Sequence, residues 1–122
     1  MTRGFKDLRV FQLAYQLAMR IFHESKIFPR EERYALTDQI RRSSRSVTSS
    51  VAEGYRKRQY PNAFVSKLAD ADGECAETLV WVDYARDCGY WRAELAAEMA
   101  AGYEEVGRML GAMIAHPEKF CL

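Results

Sequence analysis

The chain has 122 residues, 48% hydrophobic and 29% charged, which suits one domain with a real core and excludes a disordered or low-complexity protein. Its net charge of +1 hides a division: residues 1–58 carry 13 Lys/Arg against 6 Asp/Glu, and residues 59–122 carry 5 against 11. Cys75, Cys88 and Cys121 are an odd set without paired metal-ligand spacing, which argues against a disulfide framework or a zinc site and for reduced thiols.

The first helix is expected from about Asp7, a suitable N-cap, to about Ser25. Leu8, Phe11, Tyr15, Ala18 and Phe22 form one stripe at steps of three and four. Val10, Ala14, Leu17 and Ile21 form a second beside it, extended by Leu13. Together they span about 220° of the helix wheel, where one buried stripe needs little more than about 100°. The second stripe, Val10, Leu13, Ala14, Leu17 and Ile21, is therefore expected to meet another subunit, the alternative being a core helix overlapped by its neighbours. Gln12, Gln16 and Arg20 break the apolar pattern, and no stretch reaches the ~18 apolar residues of a membrane span, so neither a signal peptide nor a membrane helix is expected and the chain reads as cytoplasmic.

The second helix is expected over about 30–58. Pro29 can open it, because its missing N–H is one that a first turn leaves unpaired, and Glu31 and Glu32 suit the positive end of the dipole. Leu36, Ile40, Ser43, Val47, Val51 and Gly54 then recur at helical steps, a seam of small side chains that lets backbones approach. Serines in mid-helix need tertiary packing to hold them helical. Arg41, Arg42 and Arg45 fall within about 100° of one another, with Arg56 in the same arc. Tyr55-Arg56-Lys57-Arg58-Gln59-Tyr60 sets three cations between two tyrosines, a pattern that suits phosphate and unpaired bases and equally suits a helix C-terminus whose dipole favours cations.

Pro61 restarts the chain, and the third helix is expected to about Asp87, with Phe64, Leu68, Cys75, Leu79 and Val82 on one face. Its other side carries Asp70, Glu74 and Glu77, and Trp81 lies well off the apolar face, as an exposed ring or an interface anchor. After Gly89-Tyr90 a fourth helix is expected over about 92–115, packing Leu95, Met99, Tyr103, Val106, Leu110 and Met113. Pro117 ends it before a short tail. The fold class is all-α, an antiparallel up-down-up-down four-helix bundle in a single domain.

The ordered set Phe28-Pro29, Glu32, Tyr34, Leu36, Gln39-Ile40-Arg41-Arg42, Ser46 and Ala52-Glu53-Gly54 resembles the four-helix-bundle proteins encoded in intervening sequences of bacterial 23S ribosomal RNA genes. The accessory variability protein of diversity-generating retroelements is in the same group. The resemblance extends to Phe5-Lys6-Asp7-Leu8 and Cys88-Gly89-Tyr90 and so covers nearly the whole chain. One position departs: Ser50 stands where the family usually has asparagine. The resemblance implies a closed ring of copies, typically a pentamer, and a basic surface presented to nucleic acid and, in the retroelement branch, to a reverse transcriptase.

Catalysis has little to stand on. A di-iron bundle needs Glu-x-x-His on two helices, which His23 and His116 cannot supply. Glu74-x-x-Glu77 resembles the magnesium ligands of the MazG-like nucleotide pyrophosphohydrolases, but no second Glu-x-x-Asp pair follows on the fourth helix. No glycine-rich phosphate loop or serine–histidine–acid set is present. No cofactor or metal is expected. The reading is a non-enzymatic homo-oligomer that binds RNA or DNA phosphate through Arg41, Arg42, Arg45, Arg56, Lys57 and Arg58. Its alternatives are a structural oligomer in which basic helices pair with acidic ones of the next copy, and, as a minor case, the pyrophosphohydrolase.

Overall fold

The structure is a computed structural model in which residues 4–122 are described. Four helices make up the fold: α1 (Arg9–Glu24), α2 (Asp38–Arg56), α3 (Pro61–Asp87) and α4 (Ala93–Ala115). Each packs on two neighbours around a ring, α1 on α2 and α4, and α3 on α2 and α4. The pairings run in opposite directions along every contact. Arg41 meets Phe22 while Arg56 meets Phe5, Arg42 meets Glu77 while Glu53 meets Lys67, and Arg20 meets Glu98 while Leu17 meets Gly102. The molecule is an all-α, four-helix bundle, as expected of four periodic segments joined by short links.

Two helix starts differ from the sequence reading. Asp7 lies in a 3₁₀ turn, Phe5–Asp7, and Leu8 rather than Asp7 occupies the cap position of α1. Regular α2 begins at Asp38, not near Arg30, because the chain first makes a 3₁₀ turn, Arg30–Glu32, and a wide π turn, Arg33–Thr37. The cause is the aromatic plug that this segment wraps. Phe28 packs against Tyr90 and Trp91 at 5.5 and 5.3 Å between ring centres. The Tyr90 hydroxyl donates to Glu32 Oε2 at 2.7 Å, and the Trp91 indole N–H donates to the Glu24 carbonyl at 3.0 Å. These ties hold the linker across the end of the bundle, where a straight continuation of α2 would carry it away.

The core explains why α2 is built of small residues. Ile40, Val47 and Val51 are fully buried together with Ser43 and Ser44. The Ser43 and Thr78 hydroxyls pair at 2.8 Å, Thr78 Oγ1 donates to the Glu74 carbonyl and Ser44 Oγ to the Arg41 carbonyl, so hydroxyls that would cost free energy if left dry are satisfied. A Cβ at Gly54 would stand 3.2 Å from Lys67 Cβ and 3.5 Å from the Phe64 carbonyl oxygen. That close approach of α2 and α3 is what glycine permits here.

The stripe Val10, Ala14, Leu17 and Ile21, expected to face another subunit, is instead α1's contribution to this chain's own core, with Leu13 half-buried against it. The reason is rotational: both stripes are apolar, and the one with small and aliphatic side chains fits against α2 and α4, leaving the bulkier Phe11, Tyr15 and Phe22 on the flank. The tail also has a place. Phe120 stacks on Phe64 at 6.2 Å, and the Leu122 N–H donates to the Arg58 carbonyl. Among the described residues no helix is long and apolar enough to cross a membrane.

Candidate nucleic-acid interface

The arginines of α2 do not form one ridge of equivalent cations. Positions 41 and 42 are consecutive, so their side chains leave the helix about 100° apart, and they reach opposite neighbours. Arg41 turns to α1. Its Nε donates to Ser25 Oγ at 2.9 Å and its guanidinium lies 4.9 Å from the centre of the Phe22 ring. Ser25 is buried and its hydroxyl in turn donates to the Phe22 carbonyl, so Arg41 ties down the C-terminal end of α1, where a cation suits the helix dipole. Arg42 turns to α3. It is bonded to Glu77 and lies 3.6 Å from Glu74 Oε2, while Glu77 also accepts the Trp81 indole N–H at 3.2 Å.

Arg45, Arg56 and Lys57 are different. All three are exposed, and none meets a carboxylate among the described residues. Arg45 lies 5.8 Å from the Phe22 ring centre and Arg56 lies 5.9 Å from that of Phe5, contacts that steady a guanidinium without neutralising it. Arg58 folds back, its Nε donating to the Tyr55 carbonyl and its guanidinium sitting 3.7 Å from the centre of the Tyr55 ring. Of the six cations assigned to nucleic acid from the sequence, three are therefore open and three are engaged inside the chain.

An open depression of about 680 Å³ lies over the outer face of α2, lined by Phe22, Asp38, Arg41, Arg42, Arg45, Ser46 and Ser49. Serine hydroxyls and guanidinium donors on its wall, with one carboxylate at its end, suit a weakly hydrated anion such as a phosphodiester. The sequence reading did not single out the aromatic row beside it. Phe5 packs edge-on against Phe11 at 5.2 Å, Phe11 stacks with Tyr15 at 6.0 Å, and Tyr15 is 53% exposed. The signal is the stripe Phe11, Tyr15, Phe22, whose periodicity alone does not say that it lies outside the core.

Glu74 and Glu77, the pair that a pyrophosphohydrolase would use for magnesium, are both held by Arg42. Among the described residues no three His, Cys, Asp or Glu side chains gather as a metal site would require. Cys75 is buried in the core, where burial and the neighbouring Asp72 and Glu74 push its thiol up to about 12. The hydrogen bond to Glu32 pushes the Tyr90 phenol up to about 12.

The family model for 23S rRNA-intervening sequence proteins matches residues 6–112. A crystal structure of a protein with unknown function from the S23 ribosomal protein family of Bacteroides thetaiotaomicron is similar in fold. Its TM-score is 0.78, at 24% identity, over 87% of this chain and 95% of that one. No curated protein matches the sequence.

Proposed function

The chain belongs to the 23S rRNA-intervening sequence protein family, and from that premise we propose that it is a non-enzymatic helical module that binds RNA or DNA phosphate through its α1–α2 face and works as a homo-oligomer. The supporting observation is the depression lined by Arg41, Arg42, Arg45, Ser46 and Ser49, with Arg56 and Lys57 further along the same helix. In this reading Arg45, Arg56 and Lys57 contact phosphate, whereas Arg41, Arg42 and Arg58 shape the surface from within. Copies associate through a face other than Val10, Ala14, Leu17 and Ile21, and a pentamer is the count that the family resemblance implies.

Titration of fluorescent RNA and DNA at two salt concentrations tests the proposal. Binding should weaken steeply with salt, and the triple variant Arg45→Ala, Arg56→Ala, Lys57→Ala should reduce the slope by roughly 0.9 per lost duplex phosphate contact. A variant that binds and responds to salt as the parent does would refute it. The second reading, a structural role for the basic residues in place of a nucleic-acid ligand, is favoured by the pairs Arg42–Glu77 and Arg20–Glu98, which join the basic half of the chain to its acidic half within one copy. If the triple variant falls apart into monomers without any nucleic-acid defect, that reading holds instead.

A further inference from the structure

The phosphate reading leaves the row of rings on α1 unused. Phe11, Tyr15 and Phe22 lie within about 40° on the helix wheel and span about 16 Å along the axis. Tyr15 is the member open to solvent, and its position is not left to chance. Phe11 stacks behind it with ring planes 26° apart, and Phe5 braces Phe11 edge-on. In the antiparallel register set by Phe22 with Arg41 and Phe5 with Arg56, the α2 positions across from Tyr15 and Phe11 are Thr48 and Ala52. Small side chains there leave the Tyr15 ring standing above its surroundings.

Cations flank the row at both ends. Toward the C-terminus of α1, Lys26, Arg41 and Arg45 lie 4.8, 4.9 and 5.8 Å from the Phe22 ring centre. Toward its N-terminus Arg56 lies over Phe5, in a second depression that Lys6 and Asp7 also line. Among the described residues the carboxylates lining these two depressions, Asp38 and Asp7, sit at the two ends of the row, and the α2 positions across from Tyr15 and Phe11 carry none. An exposed, braced aromatic face between two groups of cations matches the chemistry of an unpaired strand, whose bases stack while its phosphates meet the charges. A duplex offers phosphates alone to such a surface, because its bases are already stacked on each other.

We propose that the α1–α2 face selects unpaired nucleic-acid strands, with a base stacked on Tyr15 and the adjoining phosphates held by Arg45 and Arg56. This rests on the phosphate-binding function proposed above and narrows its ligand. Charge complementarity favours this occupant over an apolar protein segment, which would leave Arg45 and Arg56 desolvated against nothing.

The test compares three labelled probes at one salt concentration: a short oligouridine, an RNA hairpin with the same number of phosphates, and an abasic strand of the same length. Oligouridine should bind more tightly than the other two. Tyr15→Leu should weaken oligouridine by about fivefold or more and leave the hairpin and the abasic strand unchanged, with the helical circular dichroism intact. Tyr15→Trp should retain the preference, and oligouridine should quench its added fluorescence. If hairpin and abasic strand bind as well as oligouridine, and Tyr15→Leu changes nothing, stacking is refuted while the phosphate reading survives. If no probe binds in a salt-dependent way, both fall. If Tyr15→Leu lowers the mass of the assembly by sedimentation, the row is a contact between copies and the proposal is overturned.

Discussion

Along its α3 flank, α2 comes so close to its neighbour that a single added methyl at Gly54 would press on Lys67 Cβ; along its α1 flank it keeps cations at the surface beside half-exposed rings. The two flanks belong to one helix and differ in what they exclude. On the first, Ser43, Val47 and Gly54 exclude water, so a hydroxyl there must pair internally, as Ser43 does with Thr78. On the second, Arg41, Arg45 and Arg56 lie too near water for burial, and among the described residues only Arg41 adds hydrogen bonds to its ring contact. Tight packing has fixed one side of the helix, and the charge on the other stays open to solvent.

The largest expected effect tests how dry the tight side is. Cys75, on the buried face of α3, has its thiol raised from 9.0 to about 12, so the folded state holds it protonated where an unfolded chain would ionise it. Its contribution is whole below pH 9 and is lost as pH climbs from there to about 12, a decline on the order of a few kcal/mol. Cys88 is exposed. At pH 8 a thiol reagent should therefore modify Cys88 rapidly and Cys75 only on unfolding. Rapid modification of all three cysteines in the folded protein would show that the core is open.

Glycine substitutions break the comparison sterically. Gly54→Leu has to displace Lys67 Cβ, which is fixed to the α3 backbone, rather than the end of a flexible side chain, and should cost about 3 kcal/mol in chemical denaturation. Gly73, on the outer side of α3, has nothing within 4 Å of a built Cβ. Gly73→Ala should stabilise by up to about 1 kcal/mol, since alanine is the better helix former. Equal costs at the two positions would mean that the α2–α3 approach is looser than the geometry says.

How much of this could be read from the sequence follows the same division. Helical periodicity and the Pro61 restart mark out α3 and α4 because each is one uninterrupted amphipathic run. The small seam of α2 announces close packing, since serines at core spacing have no other stable home. What failed was the rotation of α1. Its two stripes are both apolar, and periodicity cannot tell which of two adjacent stripes meets the core when the difference is shape rather than polarity. The delayed start of α2 was also out of reach, because it depends on Tyr90 and Trp91, more than fifty residues away, reaching back to Glu32 and Glu24. The arginines were found as residues and misjudged as a group, since their spacing gives direction and not the partners that wait there.

Arg41 and Arg45 are one turn apart and make the finest test of the two-sided helix. Arg41→Ala would leave the buried Ser25 hydroxyl without its donor and release the end of α1, at a cost of about 1–2 kcal/mol. Arg45→Ala removes only an exposed cation over the Phe22 ring and should change stability by less than about 0.5 kcal/mol. Its effect should appear instead in the salt dependence of strand binding, which loses about one counterion's share of slope. If Arg45→Ala destabilises the fold as much as Arg41→Ala, then the outer flank of α2 is structural throughout, and its charge is not in reserve for a ligand.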